Sequence, residues 1–191
     1  MFNNLKEKIK NKKLILFGET HGTKGTPELL SKFFSETAKK EDFNLCLEIP
    51  EEFQNVELYK ILSLAKKIGS SCLISKNYIE LIKSMPKNVK VFFVAPSTIK
   101  NQEDMENILS KNILKIINNK KTFAILGEIH ASKLEIDFKN IKIIPTGLLM
   151  YKKIGDKMMN IRITGKKDLD GEWEKNFNKG FDEIIEVEKL G

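Results

Sequence analysis

The chain has 191 residues, 41% hydrophobic and 31% charged, which fits one ordinary globular domain with a sound core. Its net charge of +7 rests on scattered lysines, with Arg162 the only arginine. A dedicated nucleic-acid binder is therefore not expected, because phosphate and guanine recognition favours the guanidinium fork.

No run approaches the roughly 20 apolar residues of a membrane span, and residues 1–13 carry no signal-peptide pattern. Cys46 and Cys72 form neither a disulfide framework nor a CxxC zinc motif. The expectation is a cytoplasmic, reduced protein. Nothing in the pattern specifies an oligomeric state.

In chain order, Phe2, Leu5 and Ile9 make a short amphipathic helix, and Leu14 to Gly18 a buried strand. Thr26-Pro27 reads as a helix start, followed by Leu29, Leu30, Phe33 and Phe34 on one face, so 27–39 is helical. Phe43 to Ile49 is a second strand, stopped by Pro50. Residues 51–68 and 76–84 read as helices, and Val89 to Ala95 as a strand stopped by Pro96. A helix from Asn101 to about Asn118 carries Met105, Ile108, Leu109 and Ile113 at helical spacing. Thr122 to Gly127 and Ile141 to Ile144 read as further strands.

Strands alternating with helices predict a single α/β domain over 1–191, its sheet mainly parallel and flanked by helices. Met158 to Thr164 and Phe181 to Val187 alternate without a strong helix between them. Residues 155–191 are therefore expected to form antiparallel edge strands or a hairpin.

Both histidines lie in near-copies of one heptapeptide, Gly18-Glu19-Thr20-His21-Gly22-Thr23-Lys24 and Gly127-Glu128-Ile129-His130-Ala131-Ser132-Lys133. Each copy follows an apolar strand. In open α/β sheets ligands bind beyond the carboxyl ends of the strands. Gly permits close backbone approach. In an extended backbone a Glu and a His two residues apart point to the same face, where the carboxylate orients the imidazole or shares a metal with it. Glu48 also closes an apolar strand and can project toward the same edge.

Three uses fit this pattern. His21, positioned by Glu19 or Glu48, can activate water against an ester, amide or peptide bond of a small-molecule or peptide substrate, while His130 with Glu128 stabilises the oxyanion or protonates the leaving group. Alternatively, His21, His130 and Glu48 can hold a divalent metal ion. Without turnover, the same crevice can bind haem or a metal. No Gly-x-Ser-x-Gly elbow, P-loop, Gly-x-Gly-x-x-Gly or His-Glu-x-x-His occurs.

The chain resembles the superfamily of ChaN-like haem-uptake proteins, erythromycin esterases and TraB/Tiki proteins. Four elements carry the resemblance in matching order: Leu16-Phe17-Gly18-Glu19-Thr20-His21, Leu45-Cys46-Leu47-Glu48, Glu52-Phe53-Gln54 and Leu126-Gly127-Glu128-Ile129-His130. For the esterases it implies a water-activating site, for the Tiki branch a divalent metal and peptide cleavage, and for the ChaN branch haem. Gly22 stands where the ChaN pattern commonly has Asp. The esterases space Glu and His one residue wider and use an arginine that Arg162, far downstream, does not obviously supply.

Overall fold

The computed structural model describes residues 2–20, 25–67, 75–117, 120–138, 141–165 and 172–187. Helix α1 (Asn3–Ile9) leads into β1 (Leu14–Glu19), followed by α2 (Gly25–Ala38), β2 (Phe43–Pro50), α3 (Leu58–Lys67) and α4 (Lys76–Lys83). Next come β3 (Val89–Ala95), α5 (Gln102–Ile116), β4 (Lys121–Gly127) and a single helical turn, α6 (Glu128–Ala131). Strands β5 (Ile136–Phe138) and β6 (Ile141–Ile143) precede α7 (Thr146–Ile154), β7 (Met158–Gly165), α8 (Glu172–Asn178) and β8 (Glu183–Val187).

Six strands form one sheet in the order β3-β2-β4-β1-β7-β8, with every neighbouring pair parallel. This is the α/β fold that the alternation of strands and helices predicts. Period-2 alternation sorts the side chains into two layers. Ile15, Phe17, Leu45, Phe123 and Ile125 face α1, α2 and α4. Leu14, Leu16, Cys46, Ala124 and Leu126 face Leu109 and Ile113 of α5 and Met150 of α7. Phe17, Phe33, Phe34, Phe43 and Phe123 form one cluster with ring centroids 4.9–6.2 Å apart. At roughly 1.5–3 kcal/mol for each fully buried ring, this cluster holds β1, β2 and β4 together beneath the strand ends.

The tail corrects the sequence-based expectation. β7 and β8 are parallel neighbours, and the antiparallel pair is β5–β6 instead. Parallel neighbours need a crossover, and α8 between them provides it. All of β7 is buried, since it is an interior strand between β1 and β8. The expected helix over 51–68 is also divided, into a 3-10 turn at Glu51–Phe53 and the later α3. Between them, the Gln54 side chain donates to Val91 O at 3.1 Å and accepts from Phe93 N at 2.6 Å. It thereby covers the backbone groups of edge strand β3.

Candidate functional site

The strands bearing the two heptapeptides are neighbours. β1 and β4 pair in parallel with Glu19 opposite Gly127, so the copies meet one residue out of step. Beyond them the chain leaves to opposite faces, through α2 on one side and α6 and α7 on the other. In open α/β sheets, such divergence leaves a ligand crevice. His21 with Gly22, Thr23 and Lys24, and likewise Cys72, lie outside the described residues.

The two copies continue differently. Glu19 still belongs to its strand, but Glu128 opens the helical turn α6. At 3.6 residues per turn, positions two apart point roughly 200° away from each other. The same-face arrangement expected of Glu128 and His130 is therefore not formed. The Glu128 carboxylate accepts from Thr20 Oγ1 at 3.3 Å and from Arg162 Nε at 2.9 Å, with Arg162 Nη2 at 2.8 Å.

His130 turns the other way. Its Nδ1 lies 2.7 Å from Glu106 Oε1, and its Nε2 3.5 Å from Glu48 Oε1. Burial alone would lower the imidazole pKa, but the Glu48 charge and the Glu106 hydrogen bond and charge outweigh it and raise it to about 9. The two carboxylates thus favour the protonated ring, with Nδ1 bonded to Glu106 and Nε2 facing Glu48.

Each carboxylate is itself held. Glu48 Oε2 accepts from Gly127 N at 2.7 Å, at the start of the turn. Glu106, 1% exposed, accepts from Thr146 N and Oγ1 at 2.8 Å each and from Gln102 Nε2 at 2.7 Å. Burial works to raise its pKa, yet His130 and Thr146 bring the carboxyl below its usual value. A carboxylate at the N-terminus of α7 also suits the helix dipole.

Glu19 is 1% exposed, on the face shared with Ile15 and Phe17. Tyr78 of α4 is buried next to it. Burial first, then Glu19 and more weakly Glu48, push the Tyr78 phenol well above its ordinary value. Cys46 is a core residue whose thiol burial drives upward, leaving it inert. Thus Glu48 and His130 come together, Glu128 joins Thr20 across the strand ends, and Glu19 lies on the α4 side of the sheet.

Glu106 went unrecognised in the sequence, although a signal existed. Glu106, Leu109, Ser110 and Ile113 are the buried residues of α5, so a carboxylate heads an apolar stripe at spacing i, i+3, i+4, i+7. Arg162 carries a similar signal, as a lone arginine inside the apolar strand Met158 to Ile163. Of the expected metal set, Glu48 and His130 are adjacent and engage each other. Among the described residues, no group of three or more His, Cys, Asp or Glu is arranged to hold a metal ion.

No protein-family profile and no curated protein sequence matches the chain. Solved structures share its fold. One described as bacterial protein toxins is 9% identical, with TM-score 0.56, over 83% of this chain and 36% of that one. RRSP, a MARTX toxin effector domain from Vibrio vulnificus, is 11% identical, with TM-score 0.50, over 81% of this chain and 33% of that one. A Bacillus cereus protein is 12% identical, with TM-score 0.56, over 85% and 68%. At these identities the likeness establishes the fold alone, and the chain spans about a third of the two toxin chains. Among the described residues, no helix is long and apolar enough to cross a membrane.

Proposed function

We propose that the chain is a hydrolase of ester, amide or peptide bonds in a small-molecule or peptide substrate, acting at the carboxyl ends of β1 and β4. One observation carries this reading. His130, half-buried, lies with Nδ1 2.7 Å from Glu106 and Nε2 3.5 Å from Glu48, on a turn packed against the strand that leads to His21.

A protonated imidazole does not take a proton from water, but it donates one to a leaving group or stabilises an oxyanion. His130 takes that acid role. Removal of a proton from water falls to His21, with Glu19, two residues before it in the sequence, as its assigned carboxylate. Glu48 and Glu106 keep the proton on His130. Glu128, bound by Arg162, holds the turn and leaves the proton-transfer set. Superfamily membership is part of the same proposal. It is supported by the positions of Glu19, Glu48 and Gly127 at or near the carboxyl ends of β1, β2 and β4.

Glu48 and His130, 3.5 Å apart, are also the pair that a divalent ion would draw on in the metal-bound alternative.

Purified protein tested on aryl esters, lactones and peptide amides should show turnover. That turnover is expected to fall by on the order of 10²- to 10⁴-fold in His130→Ala and to vanish in His21→Ala. Full activity in both variants would remove the proposal. So would a Soret shift on haem titration that depends on His130 and comes without turnover, which marks a carrier.

A further inference from the structure

The only arginine of the chain is wholly buried, yet the proton-transfer scheme leaves it without a task. Arg162 lies on β7, and its guanidinium is engaged on both sides. Nε and Nη2 meet the Glu128 carboxylate at 2.9 and 2.8 Å, while Nη1 meets Glu174 at 2.6 Å and donates to Asn178 Oδ1. Its face lies 4.8 Å from the Phe177 ring centroid. Burial of an arginine with two carboxylates is costly and often adds no net stability. The geometry has another consequence. The Glu128 oxygen that accepts Arg162 also accepts Thr20 Oγ1, so one carboxylate is tied at once to β7 and to the end of β1.

We propose that Arg162 is a positioning residue: through Glu128 it fixes the end of β1 and the α6 turn relative to each other. This rests on the reading that these strand ends form the site. A lysine cannot substitute, because its single ammonium lacks the fork that spans Glu128 on one edge and Glu174 and Asn178 on the other. That accounts for an arginine here in a chain whose other basic residues are lysines. The consequence for the reaction is that the two motif copies keep a set spacing, as charges that develop in a transition state require.

The chain contains just two histidines, so a ¹H–¹³C spectrum of the full protein with ring-labelled histidine has two imidazole signals, assigned by His21→Asn and His130→Asn. His21 follows Thr20 in sequence, and His130 shares the α6 turn with Glu128, so the two rings report on both ends of the link. In R162K and R162M both ring signals should be displaced while the methyl spectrum of the phenylalanine-rich layer stays in place. E106Q, which acts on the opposite side of the turn, should displace His130 alone. Unmoved ring signals in a folded R162M overturn the proposal, as does a displaced His130 signal with His21 unchanged. Loss of thermal stability with both rings unmoved makes Arg162 a purely structural residue and overturns it as well. If R162M does not fold, E174Q decides, with a smaller displacement of both rings expected and none counting against.

Where hydrolysis is detected, R162K should lower kcat by about 10- to 100-fold with KM unchanged. A wild-type protein with no hydrolysis on any substrate removes the functional reading but leaves the ring test intact.

Discussion

His130 draws its behaviour from two carboxylates on different elements, Glu48 of β2 and Glu106 of α5. Its folded pKa of about 9 exceeds the ordinary 6.5. The matching stabilisation, on the order of 3 kcal/mol, is full below about pH 6.5 and drains away as pH rises through 9. Glu106 runs the opposite way. Its carboxyl is held below the usual 4.5, so its contribution is present above that pH and is lost on acidification. Urea unfolding across pH should therefore show greatest stability between about pH 4.5 and 6.5, with a decline toward pH 9 that His130→Gln flattens. Glu106→Gln should cost about 3–5 kcal/mol and return the His130 titration toward its ordinary range, readable by NMR. A pH profile of stability that stays level from 6 to 9 would contradict the raised His130 pKa. The Gly-Glu-x-His repeat suggests Glu128 as the carboxylate beside His130, but the contact is with Glu106. Glu128 lies two residues away in sequence and faces elsewhere, while Glu106 is 24 residues distant and in contact.

The α6 turn illustrates what a short element requires. Four residues cannot sustain a helix alone, because nucleation costs more than one turn returns. Neighbours hold it instead. Glu48 accepts Gly127 N, Asn160 Nδ2 donates to Ala131 O, and Gly18 and Gly147 let β1 and α7 approach closely. A Cβ on Gly18 would come within 2.9 Å of Ala131 Cβ and Phe181 Cε1, and 3.2 Å of Glu128 Cα. One on Gly147 would run into the Ala131 carbonyl. Gly18→Ala should destabilise by about 1–3 kcal/mol, and Gly147→Ala by more, since backbone cannot yield as a side chain does. Thermal melts of the two variants check that order, and equal melting with the wild type would show the turn to be free. The small residues around the motifs thus serve packing, a role their composition did not announce. Long elements were legible because their periodicity is local: β1, β2, β3, β4 and α5 all lie where their apolar spacing indicates. α6 and α7 were not, because one is a single turn and the other carries Gly147 at its second position.

On the scale of the whole molecule, six parallel strands bring residues more than a hundred positions apart to one edge. β1 and β4 become neighbours only because the intervening chain builds β2 and β3 outward and returns between β2 and β1. Glu48 and Glu106 reach His130 from two elements, β2 and α5. Under the metal-free form of the proposal, dialysis against EDTA leaves both the melting temperature and any hydrolysis unchanged, whereas loss of either with recovery on adding zinc would favour the metal-bound alternative.

The amino-acid sequence by itself determined the α/β class, the places of β1 to β4 and α5, and the presence of a Gly-Glu-x-His copy after each of two apolar strands, all of which follow from spacing between residues near one another. Its reading of the tail as antiparallel failed because alternation reports burial and not strand direction, which the α8 crossover sets. Tertiary structure decided the rest. The parallel pairing of β1 with β4, the opposite directions of Glu128 and His130 on a helical turn, and the enlistment of Glu106 and Arg162 all depend on contacts between distant parts of the chain, where local periodicity carries no information.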